Sequence, residues 1–331
     1  MMDNVRIALI GAGSLANSMH YPALTGIEDV EMVGLCDLDE TRLSTTAQKF
    51  GIEHTFTNYK AMLSTVHPDA DYALMPPHIL FDVAMDVLES GYHLFVEKPP
   101  AVTTFQTVAL ANTAERKGLV TGVGFQRRYH PMVHACWEEV RKSGDIHQVV
   151  SCFYKNSPPS ETHPYYRGAI DILHCDAIHA VDALRYYCGL SDVTSVTSEV
   201  RNLDCWYAVS FNAIVAFENG AVGVLLSNWR TGRRVLRFEF HACGASGYAD
   251  ADGAAHVWKN NEDIPSLQTT ATEFAGTDVA YVTQGFMAEN RAFIDAVRTG
   301  TPPHNTLTDA VKTMELADLI YENAVCRRAT P

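Results

Sequence analysis

Three short stretches carry residue types and spacings that could do chemistry. The first is Gly11-Ala12-Gly13-Ser14-Leu15-Ala16, a G-x-G-x-x-A turn directly after an apolar run at 6–10. In such a turn the first glycine permits the tight bend and the second lets a pyrophosphate approach the backbone. The small sixth residue allows close helix–strand packing. A helix opening there offers free N–H groups and a positive dipole end to phosphates. Asp37 closes the next apolar run, 31–36, where a carboxylate that accepts both ribose hydroxyls is expected. It favours NAD over NADP, because it repels a 2′-phosphate. Asp39 adds negative charge, and Arg42 is the nearby cation. The structural alternative is a plain strand–helix turn with a solvated carboxylate.

The second stretch is Phe95-Val96-Glu97-Lys98-Pro99-Pro100, a lysine at the carboxyl end of a strand, followed by two prolines. Open parallel sheets bind ligands at that edge. A lysine amine held there can take a proton from a substrate hydroxyl. The competing reading is a surface Lys–Glu pair in a turn. In the third stretch, Asp171, His174, Asp176, His179 and Asp182 lie on one helix expected over 171–187. Asp176, His179 and Asp182 are spaced by three and share a face. His179 is the candidate second proton-transfer partner, whereas Asp182 reads better as a brace. His174, Asp176 and His179, or His130 and His134, match no recognised zinc spacing, so no metal is expected.

The elements around these stretches set their positions. Apolar runs at 6–10, 31–36, 72–75, 93–96 and 120–124 alternate with helical patterns at 40–50, 79–90 and 104–117. Strands alternating with helices imply a doubly wound parallel sheet. After about residue 124 the character changes. A helix is expected over 131–142 and a strand over 147–154. Strands follow through 193–257, with a hairpin around Glu218-Asn219-Gly220, and helices at 286–298 and 308–323 close the chain. The expected fold is thus α/β followed by α+β with a large, mostly antiparallel open sheet. The division is expected to fall at 1–125 and 126–331.

Composition narrows the function. The 331 residues carry 25 basic and 39 acidic side chains, a net charge of −14. That balance opposes general nucleic-acid or anionic-lipid binding. No uncharged apolar stretch reaches the length of a membrane span, and the run at 5–10 enters a glycine turn rather than a cleavage site. The eight cysteines, Cys36, Cys136, Cys152, Cys175, Cys188, Cys205, Cys243 and Cys326, are scattered without C-x-x-C pairs. Reduced thiols in a cytoplasm are the expectation. An exposed face on a large sheet should be covered, so a homodimer or homotetramer through the second region is expected.

Taken in order, Ala8-Leu9-Ile10-Gly11-Ala12-Gly13, Cys36-Asp37, Pro76-Pro77, residues 90–99 ending in Glu97-Lys98-Pro99, residues 123–128, Ile178-His179-Ala180-Val181-Asp182 and Phe217-Glu218-Asn219-Gly220 span nearly the whole chain. In this order they resemble the glucose–fructose oxidoreductase / inositol dehydrogenase (Gfo/Idh/MocA) family. The resemblance implies an N-terminal Rossmann domain, an α+β second domain, and NAD(P)-dependent oxidation or reduction of a carbinol on a sugar, polyol or related ring. It makes Lys98 the acid/base residue and His179 the group that contacts the hydroxyl or relays its proton. The family's aspartate stands four residues before that histidine. Cys175 occupies the position here, and Asp176 follows one residue later.

The expected cofactor contacts are therefore Gly11, Gly13, Ser14, Leu15 and Asp37, with Pro76, Glu97 and Lys98 near the nicotinamide. The expected catalytic set is Lys98, His179 and Asp176. Substrate readers are sought in Arg128, Tyr154, Tyr166, Arg167 and Trp229. Tyr166 or Trp229 offers a stacking face, and the basic turn Asn228-Trp229-Arg230-Thr231-Gly232-Arg233-Arg234 offers charge for a carboxylate or phosphate. For that turn a solvated hairpin is the preferred reading, and for Arg127 and Arg128 an interdomain salt bridge is the alternative. Two other activities fit the same residues. One is redox-neutral glycoside cleavage through transient ring oxidation and elimination. The other is a non-catalytic cofactor-binding sensor.

Overall fold

A computed structural model of the chain describes residues 4–325. Cys326 lies outside the described residues. The first six strands, β1 (Val5–Ile10), β2 (Val30–Cys36), β3 (Thr55–Phe56), β4 (Ala70–Ala73), β5 (His93–Val96) and β6 (Thr121–Val123), form one parallel sheet in the order β3-β2-β1-β4-β5-β6. Strand order reverses between β1 and β4, and such a switch point opens a crevice at the strands' carboxyl ends. Local sequence fixes the helices between them. Asp39 caps Glu40–Phe50 by accepting from the Thr41 and Arg42 amides, and Gly51 ends it in the left-handed region. Thr103 and Gly118 do the same for Thr104–Lys117. The sequence-based expectations missed β3 and the helix Tyr59–Val66, and set the fourth strand two residues late, at 72–75 rather than Ala70–Ala73.

The chain divides into two compact units, but not at one point. The first holds the residues up to Gln126 together with Val279–Val311. The returning segment contributes the helix Phe286–Thr299, whose Phe293, Ile294 and Ala296 lie in the same core as Ile7, Leu9, Tyr72 and Phe95. Phe293 meets Tyr72 and Phe95 edge-on, each at 5.4 Å between ring centres. Assigning all of 126–331 to the second region therefore differs from the contacts. The amphipathic pattern of 286–298 shows that a face is buried, without showing against which sheet.

The second unit holds Arg127–Asp278 and the chain from Lys312 on. Its eight strands are β7 (Gln148–Asn156), β8 (Val193–Arg201), β9 (Ser210–Phe217), β10 (Val222–Asn228), β11 (Arg230–Ala242), β12 (Ala245–Asp250), β13 (Ala254–Lys259) and β14 (Leu267–Thr270). They run in the order β14-β13-β12-β11-β7-β10-β9-β8, antiparallel except for the β7–β10 pair. One face is covered by helices. Ser151 donates from β7 to the Ala180 carbonyl at 3.0 Å, and Gly223 lets the helix Ile178–Tyr187 approach so closely that a Cβ would lie 2.9 Å from Leu184. The opposite face alternates outward and leaves Ile214, Tyr248 and Trp258 at 56%, 40% and 39% exposure. No described helix is long and apolar enough to cross a membrane.

Candidate active site

In the first unit β1 runs into Gly11, whose φ of +105° is open to glycine. A Cβ there would sit 2.3 Å from the Leu74 carbonyl oxygen, so the β1 and β4 ends approach backbone to backbone. At Gly13 a Cβ would meet no atom within 4 Å, which leaves the turn open where a phosphate would approach. Ser14 and Leu15 are exposed beside it. The chain then makes a π-helical turn, Ala16–His20, before the short helix Tyr21–Thr25. Asp37 is held from three sides. Its Oδ2 accepts from the Ala12 amide at 2.7 Å, and its Oδ1 accepts from the Asp39 amide at 2.8 Å and from Arg42 at 3.0 Å. Burial opposes ionisation, but these three donors outweigh it and hold the carboxyl below its ordinary value. The open cradle at Gly13 and the fixed carboxylate at Asp37 fit a dinucleotide. Pro76 is the half-buried cap residue of Pro77–Glu89, just beyond β4.

Glu97 leaves β5 into a buried polar cluster. His20, fully buried, approaches Glu97 Oε1 with its Nε2 at 2.8 Å, and the Lys98 amide donates to Oε2 at 3.0 Å. The other imidazole nitrogen lies 3.3 Å from the Asn290 side-chain nitrogen, and Asn290 donates to the Phe286 carbonyl at 2.7 Å. Phe95 and Phe286 stand edge-on to the His20 ring at 5.5 and 5.1 Å. A Cβ on Gly124 would lie 2.8 Å from Glu97, so glycine makes room for the carboxylate. The Lys98–Pro99 peptide is cis. Lys98 itself is half-buried. The backbone that carries the lysine is thus fixed by buried side chains of two segments distant in sequence. Sequence reasoning missed His20 and Asn290. The available signal was a histidine four residues after Ala16 on an otherwise apolar helix face.

In the second unit the helix expected over 171–187 is split. Residues Leu173–Ala177 form a π-helical turn and Ile178–Tyr187 continues as α-helix. Such turns are frequent at functional sites. Asp176 and His179 are both buried, at 8% and 6% exposure. Asp176 Oδ2 accepts from the Lys155 ammonium and, at 2.5 Å, from the Tyr165 hydroxyl, which in turn accepts from the Trp229 indole N–H at 3.1 Å. Lys155 lies over the Phe153 and Trp229 rings at 5.0 and 5.5 Å. Tyr165 had no place in the sequence-based set. Beyond it, Tyr166, Arg167 and Gly168 all take positive φ, 46°, 58° and 87°. Two consecutive non-glycine residues in that region store strain, a feature that concentrates at ligand sites. Both side chains are exposed.

Other expected substrate readers lie elsewhere. Arg128 is fully buried and pairs through Nε and a terminal nitrogen with both oxygens of Asp182, which also accepts from Thr313 at 3.0 Å. This pair lies within the second unit, so Arg128 braces the helix and offers no surface to a substrate. Trp229 is also fully buried. It meets Phe153 edge-on at 5.1 Å and presents no stacking face. Tyr154 alternates away from Phe153 and Lys155 toward the open face of the sheet, beside Cys152. Of the basic turn, Arg230 is taken by Asp204 and the Ser157 carbonyl, and Arg234 by Asp252. His174 is bound at both nitrogens by carboxylates, Asp171 at 2.7 Å and Asp318 at 3.1 Å, and His130 caps Pro131–Arg141.

An open glycine turn after β1, a fixed carboxylate at Asp37 and a lysine on a braced backbone at a strand end fit a nicotinamide-dependent oxidoreductase. Comparison with known proteins agrees. A family model for the oxidoreductase family with NAD-binding Rossmann fold matches residues 5–125, and one for the GFO/IDH/MocA C-terminal domain matches 140–249. The chain belongs to the Gfo/Idh/MocA family and is an NAD(P)-dependent dehydrogenase/reductase acting on CH–OH groups. It is 25% identical to D-xylose 1-dehydrogenase (NADP(+)) 2 of Haloferax volcanii, over 96% of each chain. It is 24% identical to scyllo-inositol 2-dehydrogenase (NAD(+)) of Bacillus subtilis, over 96% of this chain and 93% of that one. The solved structure of levoglucosan dehydrogenase with NADH and levoglucosan superposes with a TM-score of 0.84 at 18% identity, covering 97% of both chains.

Proposed function

We propose that the protein transfers hydride between NAD and a secondary hydroxyl or ketone of a sugar, cyclitol or related ring. The observation that carries this reading is Lys98, presented at the carboxyl end of β5 on a backbone that buried Glu97 and His20 hold. The amine of Lys98 accepts the hydroxyl proton in the oxidative direction and returns it in reduction. By the family resemblance His179 is the second proton-transfer partner, and Asp176 binds the substrate as a fixed carboxylate. Tyr166 and Arg167 read the remainder of the ring from their strained turn. The dinucleotide supplies the hydride acceptor when bound, and Gly11, Gly13, Ser14, Leu15, Asp37, Pro76 and Glu97 are the residues that would hold it. Three donors keep Asp37 ionised, which favours free ribose hydroxyls over a 2′-phosphate and supports NAD rather than NADP. The names of the two relatives, one NADP(+)-linked and one NAD(+)-linked, make this preference a matter for direct measurement.

The open sheet face, with Ile214, Tyr248 and Trp258 exposed, supports a homodimer or homotetramer, and the scattered cysteine spacing without C-x-x-C pairs supports a cytoplasmic setting. The test is purified protein with NAD or NADP and a panel of D-xylose, D-glucose, inositols and sugar acids, followed by nicotinamide reduction. Net reduction with a sugar or cyclitol, preferring NAD, is expected. Reduced cofactor that binds but exchanges hydride with no sugar, polyol or ketone of the panel would overturn the reading.

A further inference from the structure

We infer that Lys155 and Tyr165 are positioning residues that fix the Asp176 carboxylate and, through the same hydrogen bonds, the loop that displays Tyr166 and Arg167. The inference rests on the proposed reading of Asp176 as a substrate-binding carboxylate. Asp176 is 8% exposed, and a carboxylate that buried must be paired and hydrogen-bonded. Two donors from independent segments reach the same oxygen. Lys155 comes from the helix-covered side of β7 and Tyr165 from the loop ahead of the π-helical turn. Two charge-assisted bonds on one oxygen fix its position.

Each donor is itself held. Trp229, buried completely, gives its indole N–H to the Tyr165 hydroxyl and one ring face to the Lys155 ammonium. Thr231 donates from β11 to the Lys155 carbonyl at 3.1 Å. Arg234, also on β11, adds a second positive charge felt by Asp176, and His179 follows on the same helix. Burial and the neighbouring carboxylate push the Tyr165 hydroxyl well up, so it stays a donor at every working pH. Tyr165 is followed directly by the left-handed residues Tyr166, Arg167 and Gly168. Its bond to Asp176 therefore sets where that turn begins. One network joins the carboxylate to the loop, which a charge pair serving only stability would not require.

The test uses the full chain with Asp side chains labelled with carbon-13 at the carboxyl, and Asp176→Asn to assign the Asp176 signal. Lys155→Met and Tyr165→Phe keep most of the packing, and Lys155→Arg keeps the charge. The carboxyl of Asp176 should titrate at distinctly higher pH in Lys155→Met and Tyr165→Phe than in the parent, and near the parent in Lys155→Arg. With NAD and whichever of D-xylose or myo-inositol is turned over, kcat/KM should fall roughly 10- to 100-fold in the first two variants, the worth of a hydrogen bond to a charged group. NADH affinity should not move. Titration of Asp176 unchanged in both variants would overturn the inference, as would parental kcat/KM in Lys155→Met. If the parent turns over neither sugar, the proposed substrate class is at fault, and the titration still decides the positioning role.

Discussion

His174 makes a quantitative prediction. It lies on the π-helical turn between Asp171 and Asp318, with the Tyr321 ring parallel to its own at 6.0 Å and the Tyr321 hydroxyl on Asp171 at 3.0 Å. Burial alone disfavours the charged ring, but bonds to the two carboxylates outweigh it and raise the imidazole from 6.5 to about 9. A rise of that size corresponds to about 3 kcal/mol of folding free energy. Asp171 and Asp318 are 37% and 44% exposed, and solvent screening reduces the figure to about 2 kcal/mol. Because the folded value lies above the unfolded one, this contribution is complete below pH 6.5 and is lost as pH rises through about 9. His174→Gln keeps a polar side chain of similar reach but cannot carry the charge. Urea unfolding at a series of pH values should show the variant about 2 kcal/mol less stable near pH 6, with the gap closing by about pH 10. A gap of constant size across that range would refute the charged triad.

Further outcomes follow from the same geometry. Asp182→Asn leaves the Arg128 guanidinium buried with a neutral partner and should cost about 3–5 kcal/mol in urea unfolding; a loss below about 1 kcal/mol would show that the pair is not a brace. Asp37→Ala removes the acceptor of the Ala12 and Asp39 amides and should narrow the preference for NADH over NADPH by roughly tenfold in fluorescence titration, and an unaltered preference would discard the assignment. Gly11→Ala forces a Cβ against the Leu74 carbonyl at a φ suited to glycine, so thermal unfolding should occur at lower temperature and NADH binding should weaken; parental values for both would contradict the close approach.

Much of the first unit was legible because its signals are local. Asp39 and Gly51 bound one helix and Thr103 and Gly118 another, and the G-x-G-x-x-A turn follows a strand as its spacing requires. The alternation after residue 124 likewise pointed to a largely antiparallel sheet, although the single parallel pair β7–β10 leaves no mark on local periodicity. What stayed hidden depends on contacts distant in sequence. His20 and Glu97 are 77 residues apart, and nothing near either predicts that they meet. Trp229 sits in a basic, polar turn that reads as surface, yet it is buried because Tyr165, Phe153 and Lys155 close around it. Tyr154 is one residue from Lys155, and the two-residue period of a strand sends them to opposite faces. Arg128 looks like a site residue by charge, but its bonds to Asp182, which the helix spacing already favoured as a brace, consume it.

The central claim is that Lys98 moves the proton that accompanies hydride transfer. The most direct measurement compares the parent and Lys98→Ala for nicotinamide reduction on the sugar and cyclitol panel, with NADH binding followed in parallel by fluorescence. The account predicts turnover in the parent, a fall of at least about 100-fold in the variant, and NADH binding retained in both. Turnover in Lys98→Ala equal to that of the parent would contradict it.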